Sequence, residues 1–160
     1  MTKPTASEVL EALRSRGLSL ATAESCTGGL IGGALTAVPG SSDTYRGGII
    51  SYTNEVKQKL LGVPGETLAQ YGAVSAPVAE AMALGAAESL GADVAVSTTG
   101  LAGPGGDEYG NPVGTVYLAC AYHGQVKCVH CRFDGDRAQV RREATNQALK
   151  LILEFMEETL

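Results

Sequence analysis

The sequence has little positive charge and no long apolar run. It contains 12 Lys and Arg residues against 17 Asp and Glu, for a formal net charge of −5, and its longest basic run is Arg141-Arg142. Nucleic-acid binding needs a concentrated basic surface, so no nucleic-acid partner is expected. No apolar run approaches the ~20 residues of a membrane span, and residues 5–8 predict a helix start rather than a secretion signal. We therefore expect a cytoplasmic protein with no membrane contact.

Three common catalytic patterns are also missing. No Gly-Lys-Ser/Thr sequence of a Walker motif occurs, and the stretch from Gly103 to Glu108 lacks the third glycine of a dinucleotide fingerprint. The chain has 2 histidines, His123 and His130, and both lie in a predicted hairpin. A Ser-His-Asp triad is therefore not expected.

The cysteines do not predict a metal site. Cys128 and Cys131 have the spacing of half a zinc site, but residues 125–133 are predicted to form a strand, on which residues three apart point to opposite faces. A second ligand pair is missing as well. We expect Cys26, Cys120 and this pair to be free thiols in a reducing compartment, with no metal and no cofactor.

Helical and strand patterns alternate along the chain, and its 21 glycines cluster at the predicted turns. Because βα alternation gives parallel strands and a hairpin adds antiparallel ones, we expect an α/β fold with one domain over residues 1–160. The predicted architecture is a three-layer α/β/α sandwich with a mixed sheet that includes an antiparallel hairpin. Helices are predicted over 5–16, 27–38, from 54 with Asn54 as cap, 64–70, 75–90 with Ser75 as cap, and from 136. Strands are predicted over 18–23, 47–53, 92–98, 113–122 and 125–133.

The stretch from Thr22 to Gly29 places a hydroxyl at a switch from strand to helix. A serine there can attack a carbonyl, and neighbouring backbone N–H groups can hold the resulting oxyanion. A second interpretation is that Ser25 only caps the helix. Cys26 competes as nucleophile, but adjacent side chains at a helix start diverge by ~100°, so one of the two faces the site. Glu24 either accepts backbone N–H bonds in this loop or is solvated.

Lys57 is the candidate base for Ser25. It lies one turn into a short helix that follows the strand ending near Tyr52. Lysine serves as a base when burial or nearby positive charge lowers its pKa. The Tyr52 hydroxyl is expected to relay a proton or hold the site together. The alternatives are that Lys57 is a solvated helix lysine and Tyr52 a packing residue.

Arginines crowd the start of the last helix, where the helix dipole disfavours cations. Arg137 and Arg141 are four residues apart and share a face. Such a pair can bind phosphate or carboxylate. Alternatively, the arginines form a surface patch with nearby acidic residues.

Seven short segments follow one another in an order typical of a known family. They are 23–29, 39–42, 48–57, 72–75, 99–104, 112–116 and 135–137. This pattern resembles the CinA C-terminal domain family over nearly the whole chain. Some relatives carry an additional N-terminal domain that acts on ADP-ribose, so the resemblance implies a stand-alone deamidase form here.

The resemblance implies hydrolysis of the carboxamide of nicotinamide mononucleotide to nicotinic acid mononucleotide and ammonia, in pyridine nucleotide recycling. It implies Ser25 as nucleophile, Lys57 as base and Tyr52 as a third member, without a cofactor. Residues expected to contact the substrate are Cys26, Thr27, Gly28, Ser42, Thr99, Gly100, Gly103, Arg137 and Arg141. The alternatives are an amidohydrolase for another small amide and a nucleotide-binding regulatory module without turnover. We expect a homodimer or a higher homo-oligomer.

Overall fold

A computed structural model describes residues 4–159, which fold around one five-stranded sheet with strand order β2-β1-β3-β4-β5. β1, β2 and β3 are parallel; β4 pairs antiparallel with β3, and β5 pairs antiparallel with β4. The strands are β1 Leu20–Glu24, β2 Tyr45–Ile50, β3 Val94–Gly100, β4 Thr115–Tyr122 and β5 Gln125–Arg132. The helices are α1 Ala6–Arg14, α2 Leu30–Thr36, α3 Asn54–Leu61, α4 Gly65–Tyr71, α5 Ala76–Leu90 and α6 Arg137–Thr159.

The helices form a layer on each face of the sheet. α1, α2 and α6 bury one face in the larger apolar cluster, which includes Leu13, Leu20 and Ile152. The other face packs against α3, α4 and α5, with Ala21 and Met82 in its core. Alternate residues of β1 therefore point into different layers, as the period of a strand requires. The predicted α/β sandwich with a mixed sheet is confirmed.

The predicted hairpin is also confirmed. Tyr122 pairs with Gln125 across the tip, and His123 and Gly124 have φ angles of 47° and 82°. Two consecutive positive φ values are typical of the tight turns whose twist matches that of the flanking strands.

Alternation along β5 separates the two cysteines of the zinc-like pair. Cys128 packs beside α5, while Cys131 packs into the cluster on the opposite face. Over residues 4–159, no group of three His, Cys, Asp or Glu side chains is arranged to hold a metal ion. Within the same range, the length and apolar character needed to cross a membrane are not met by any helix.

Helix starts differ from prediction in position or in capping at three places. α2 begins at Leu30 rather than at residue 27, because Gly28 and Gly29 have φ angles of 57° and 106° and form a turn first. Asn54 does not cap α3; the Thr53 hydroxyl accepts the N–H of Val56 at 3.3 Å. Ser75 is the N-cap residue of α5, as predicted, but its hydroxyl donates to the Gly72 carbonyl at 2.8 Å and makes no capping hydrogen bond.

Candidate active site

Ser25 directly follows β1 at the carboxyl edge of the parallel strands. Its N–H donates to the Thr98 carbonyl at 3.0 Å, so the backbone of Ser25 still pairs with β3. Because Ala21 and Ala23 face α5, strand alternation places the Ser25 side chain on the same side. The serine is 7% exposed and therefore lies at the base of a site rather than on the surface.

Lys57 reaches Ser25 from α3, in the layer that Ser25 faces. Its amine donates to the Ser25 hydroxyl at 2.9 Å. It also donates to the carbonyls of Ser51 at 2.8 Å and Tyr52 at 3.3 Å. The Ser51 N–H in turn donates to the Glu24 carbonyl at 2.8 Å, which keeps the end of β2 beside the end of β1. The lysine is thus fixed by three acceptors, one of which is the serine.

Burial lowers the pKa of Lys57 to about 8. The side chain is 1% exposed, and removing an ammonium from water favours its neutral form. Its three oxygen acceptors are a hydroxyl and two carbonyls, none of them a carboxylate. A minority of Lys57 is therefore neutral near physiological pH, and the neutral amine is the form that a general base requires.

The Glu24 carboxylate organises the turn that follows Ser25. It is 2% exposed and accepts from the Thr27 hydroxyl at 2.7 Å. It also accepts the N–H groups of Gly29, Ile31 and Gly32 at 3.1, 3.0 and 2.9 Å. Of the two roles considered for Glu24, this is the first: it holds the loop by accepting backbone N–H bonds.

The N–H groups of the turn differ in what they contact. The Gly28 N–H donates to the Ser25 carbonyl at 3.1 Å, which closes the turn. Among the hydrogen bonds within residues 4–159, the N–H groups of Cys26 and Thr27 have no acceptor. Of these two unpaired donors, that of Cys26 belongs to a residue that lines a cavity, whereas Thr27 is fully buried.

The Cys26 side chain is buried away from water. Desolvation raises the pKa of its thiol to about 11, so the thiolate, which is the nucleophilic form, is scarce at neutral pH. The hydroxyl of Ser25 is hydrogen-bonded to Lys57, whereas the described residues include no hydrogen bond between the Cys26 thiol and this lysine.

Arg137 and Arg141 have different positions. Arg141 donates to the carbonyls of Cys26 at 3.1 Å and Thr27 at 3.3 Å and so braces the turn. Arg137 donates to the Gly103 carbonyl at 2.8 Å and to the Tyr52 hydroxyl at 3.2 Å. The Tyr52 hydroxyl therefore faces the arginine, and Tyr52 contacts Lys57 through its backbone carbonyl.

Two neighbouring cavities open at this edge of the sheet. The larger, of about 440 Å³, contains Ser25 and Lys57 and is lined by Asp107, Glu108 and Tyr109 from the glycine-rich loop. The smaller, of about 230 Å³, is lined by Cys26, Gly103 and Arg137, among others. Three residues line both: Tyr52, Gly100 and Leu101.

Some predicted contact residues support the site without opening onto it. Thr27 is fully buried, and its hydroxyl is bonded to Glu24 and to Thr98. A Cβ at Gly28 would meet the guanidinium of Arg141 at 3.2 Å, so this glycine makes room for the bracing arginine. Thr99 lines the larger cavity, but its hydroxyl donates to the Ala73 carbonyl at 2.8 Å.

Ser42 does not join the site within one chain. It lies in a short 3₁₀ turn, Ser41–Asp43, that precedes β2. Because β1 and β2 are parallel, this turn is at the amino edge of the sheet, while Ser25 is at the carboxyl edge. The neighbours of Ser42 line a separate cavity of about 250 Å³ beside α1.

The residues of the site that were not predicted from the sequence include Ser51, Asp107, Glu108 and Tyr109. Ser51 lies directly before Tyr52 and contributes a backbone carbonyl, for which side-chain type gives no signal. The other three occur in the glycine-rich loop, where two adjacent acidic residues beside a tyrosine were an available sign of a binding function.

A buried serine whose hydroxyl contacts a buried lysine at the edge of the sheet is the candidate active site of this α/β sandwich. The chain belongs to the CinA C-terminal domain family, whose model matches residues 2–156. It is 50% identical over 134 residues to a CinA-like protein of Gemmatimonas aurantiaca, covering 84% of this chain and 31% of that protein. A CinA-like protein of a Geobacter species is 53% identical over 129 residues, covering 81% and 31%. The chain thus spans about a third of the length of these curated relatives.

Solved structures match nearly the whole chain. A CinA superfamily protein from Klebsiella pneumoniae superposes with a TM-score of 0.93 at 38% identity, covering 96% of each chain. The competence/damage inducible protein CihA from Agrobacterium tumefaciens superposes with a TM-score of 0.89 at 42% identity, covering 93% of this chain and 92% of that one.

Proposed function

We propose that the protein hydrolyses the carboxamide of nicotinamide mononucleotide to nicotinic acid mononucleotide and ammonia. The observation that carries this proposal is the 2.9 Å contact between the Lys57 amine and the Ser25 hydroxyl in a cavity wide enough for a nicotinamide ring. Membership in the CinA C-terminal domain family supports the choice of substrate.

The reaction begins with neutral Lys57. Its two N–H bonds point to the carbonyls of Ser51 and Tyr52, which leaves the nitrogen lone pair for the proton of Ser25. The Ser25 oxygen attacks the carboxamide carbon while Lys57 takes the proton. The N–H group of Cys26 donates to the oxyanion of the tetrahedral intermediate.

Collapse of the intermediate breaks the C–N bond. Lys57 returns its proton to the departing nitrogen, so ammonia leaves and Ser25 carries the acyl group. Water then attacks the ester with Lys57 again as base, and the carboxylate product leaves as the Ser25 hydroxyl is restored. The Cys26 thiol takes no part in either step.

Arg137 is the residue that we assign to the phosphate. It is the charged residue of the smaller cavity, and guanidinium groups bind phosphate through paired N–H donors. The ribose then crosses the boundary formed by Tyr52, Gly100 and Leu101, which line both cavities. Arg141 lines neither of these two cavities and braces the carbonyls of the turn, so it is assigned to the scaffold.

The test is ammonia release from the purified protein with nicotinamide mononucleotide and a chelator present. We expect release by wild type and by the matched control Ser15→Ala, since Ser15 lies on the exposed end of α1. The Ser25→Ala variant should release none above background. Binding of the nucleotide by wild type without ammonia release would favour a regulatory binding module. Turnover that survives in folded Ser25→Ala would contradict the assignment of the nucleophile.

A further inference from the structure

The cavity that contains Ser25 and Lys57 is bordered by two carboxylates and two tyrosine rings. Asp107, Glu108 and Tyr109 come from the glycine-rich loop, and Tyr52 follows β2. Lys57 is the basic residue among the lining residues, and its amine is already held by three oxygen acceptors. The fixed charge of this cavity is therefore negative, whereas the neighbouring cavity has Arg137.

The loop with the carboxylates is anchored to the segment between α4 and α5. The Tyr109 hydroxyl donates to the Ala69 carbonyl at 3.0 Å, and its ring lies so close to Gly72 that a Cβ there would approach within 2.6 Å. The Asn111 amide donates to the Val74 carbonyl at 3.1 Å. The loop is thus positioned by Tyr109 and Asn111, which come shortly after its acidic pair in the sequence.

The carboxylates of Asp107 and Glu108 differ in their hydrogen bonds. Asp107 accepts the N–H groups of Tyr109 at 3.1 Å and Asn111 at 2.9 Å, and the Asn111 side-chain amide at 2.8 Å. It therefore builds the loop. The Glu108 carboxylate has no hydrogen bond or ion pair with any other residue in the range 4–159. Glu108 is an exposed residue that lines the cavity, and the fold does not use its charge.

A planar cation would interact favourably with both the Glu108 carboxylate and the tyrosine rings that line the cavity. An unpaired carboxylate attracts positive charge, and the face of a tyrosine ring attracts a cation through its quadrupole. A neutral aromatic ring of the same shape would gain the apolar contacts but not these electrostatic ones. The charge pattern therefore distinguishes ligands by the charge on the ring rather than by its size.

We propose that Glu108 is a specificity-determining residue, which selects carboxamides carried on a positively charged aromatic ring over the same molecules with a neutral ring. This inference rests on the proposed function, in which the ring is a pyridinium. Together with Arg137 in the adjacent cavity, Glu108 makes the site complementary to a zwitterion: a cationic ring toward Ser25 and an anion beyond Tyr52.

The experiment compares two ligands that differ in ring charge. Nicotinamide mononucleotide has a cationic ring, and its dihydro form has a neutral ring with the same carboxamide, ribose and phosphate. Dissociation constants are measured by calorimetry in the Ser25→Ala background, so that neither ligand is consumed. Two further substitutions are each added to the Ser25→Ala protein. Glu108→Gln is the test, and Glu157→Gln is the control, because it removes the same charge from an exposed position near the far end of α6.

We expect the Ser25→Ala protein to bind the oxidised nucleotide roughly tenfold more tightly than the dihydro form, as one nearby charge supplies. Glu108→Gln should abolish most of this ratio by weakening only the oxidised ligand, and Glu157→Gln should leave it unchanged. A ratio that Glu108→Gln does not alter, in a variant with the melting temperature of its parent, overturns the proposal.

Failure of the proposed function gives a different result. If wild type releases no ammonia but the ratio of dissociation constants depends on Glu108, the hydrolysis is wrong and the selection for ring charge stands. If wild type releases ammonia and the ratio is indifferent to Glu108, the hydrolysis stands and the role of Glu108 is wrong. Absence of binding by either nucleotide overturns both.

Discussion

The Tyr52 hydroxyl accepts a hydrogen bond from Arg137 at 3.2 Å, so this tyrosine links the end of β2 to the first turn of α6. The same guanidinium also donates to the Gly103 carbonyl. Tyr52 and Gly103 together therefore fix the position of the arginine that we assign to the phosphate. The contact suggests a binding role for the Tyr52 hydroxyl rather than one in proton transfer.

Removing this hydroxyl should affect binding more than chemistry. For Tyr52→Phe we expect KM to rise a few-fold, as loss of one exposed hydrogen bond implies, and kcat to change less than about threefold. Steady-state kinetics with the mononucleotide check this. Tyr71→Phe, an exposed tyrosine of α4, is the control. If the variant instead turned over about 100-fold more slowly, the scale of a lost acid or base, Tyr52 would have to move a proton.

The rate should follow the ionisation of Lys57. Burial lowers the pKa of this lysine to about 8, and the neutral amine is the active form of a base. We therefore expect kcat/KM to rise roughly tenfold between about pH 7 and pH 9, with a midpoint near the pKa of the free enzyme. A pH profile measured at fixed ionic strength checks this. A profile that is flat across this range would contradict the assignment of Lys57 as base.

The same ionisation makes stability depend on pH. Lys57 titrates at about 8 in the folded protein and at its ordinary value of 10.5 in the unfolded chain. The cost of burying its charge is therefore complete below pH 8, decreases between pH 8 and 10.5, and is absent above that range. The free energy of unfolding of wild type should rise relative to Lys57→Met across this window, by on the order of 3 kcal/mol.

Urea denaturation at several pH values measures this difference. The hydrogen bonds that Lys57→Met loses, including one to the Ser51 carbonyl, lower its stability by an amount that does not depend on pH. The slope against pH is therefore the diagnostic quantity. The control is Lys59→Met, which removes an exposed lysine of the same helix. For each variant, the quantity compared is the difference in its free energy of unfolding from wild type. If this difference changed with pH no more for Lys57→Met than for Lys59→Met, the proposed ionisation of Lys57 would be wrong.

Cys26 should be dispensable for the reaction. Its thiol is buried and its pKa is raised to about 11 by desolvation, whereas its backbone N–H is the group that the mechanism uses. We expect Cys26→Ala to keep its turnover rate within about threefold of wild type, well short of the loss expected for a nucleophile. Initial rates normalised to folded protein check this. Loss of all turnover in a folded Cys26→Ala protein, with turnover retained in Ser25→Ala, would make the cysteine the nucleophile.

Much of the fold could be predicted from the sequence because the spacing of apolar residues and the positions of turn residues are local signals. The hairpin follows from the alternation of buried and exposed residues on either side of His123 and Gly124. The parallel pairing of β1 and β2 brings Ser25 and the helix of Lys57 to the same carboxyl edge of the sheet. The start of α2 was misplaced because Gly28 and Gly29 form a turn that depends on Glu24, and the spacing of apolar residues does not report a buried carboxylate.

The rest of the site depends on contacts between distant segments. The four-residue spacing predicts that Arg141 and Arg137 share one face of the last helix. In the structure α6 packs against α2, and this packing brings Arg141 to the carbonyls of the turn. Glu108 lines the cavity because Tyr109 and Asn111, which follow it in the loop, are bonded to a segment about 40 residues earlier. Neither arrangement follows from periodicity, since each is decided by which layers meet.

Glu24 offers the sharpest test of how the turn is built. Its carboxylate accepts three backbone N–H groups and one hydroxyl, so both oxygens must act as acceptors. In Glu24→Gln one of them becomes an amide that can only donate, and at least one N–H group, such as that of Gly32, loses its acceptor. We expect unfolding to become easier by about 1–3 kcal/mol. We also expect turnover to slow by about 10- to 100-fold, because the N–H group of Cys26 loses its fixed direction.

Glu157→Gln controls for the change in charge, since Glu157 is exposed near the end of α6. A structural role alone would lower the stability of Glu24→Gln and leave the turnover rate per folded molecule unchanged. Displacement of the oxyanion donor, the N–H of Cys26, would slow turnover even under conditions in which the variant is fully folded. Kinetics and denaturation measured on the same preparation therefore separate the two roles of this carboxylate.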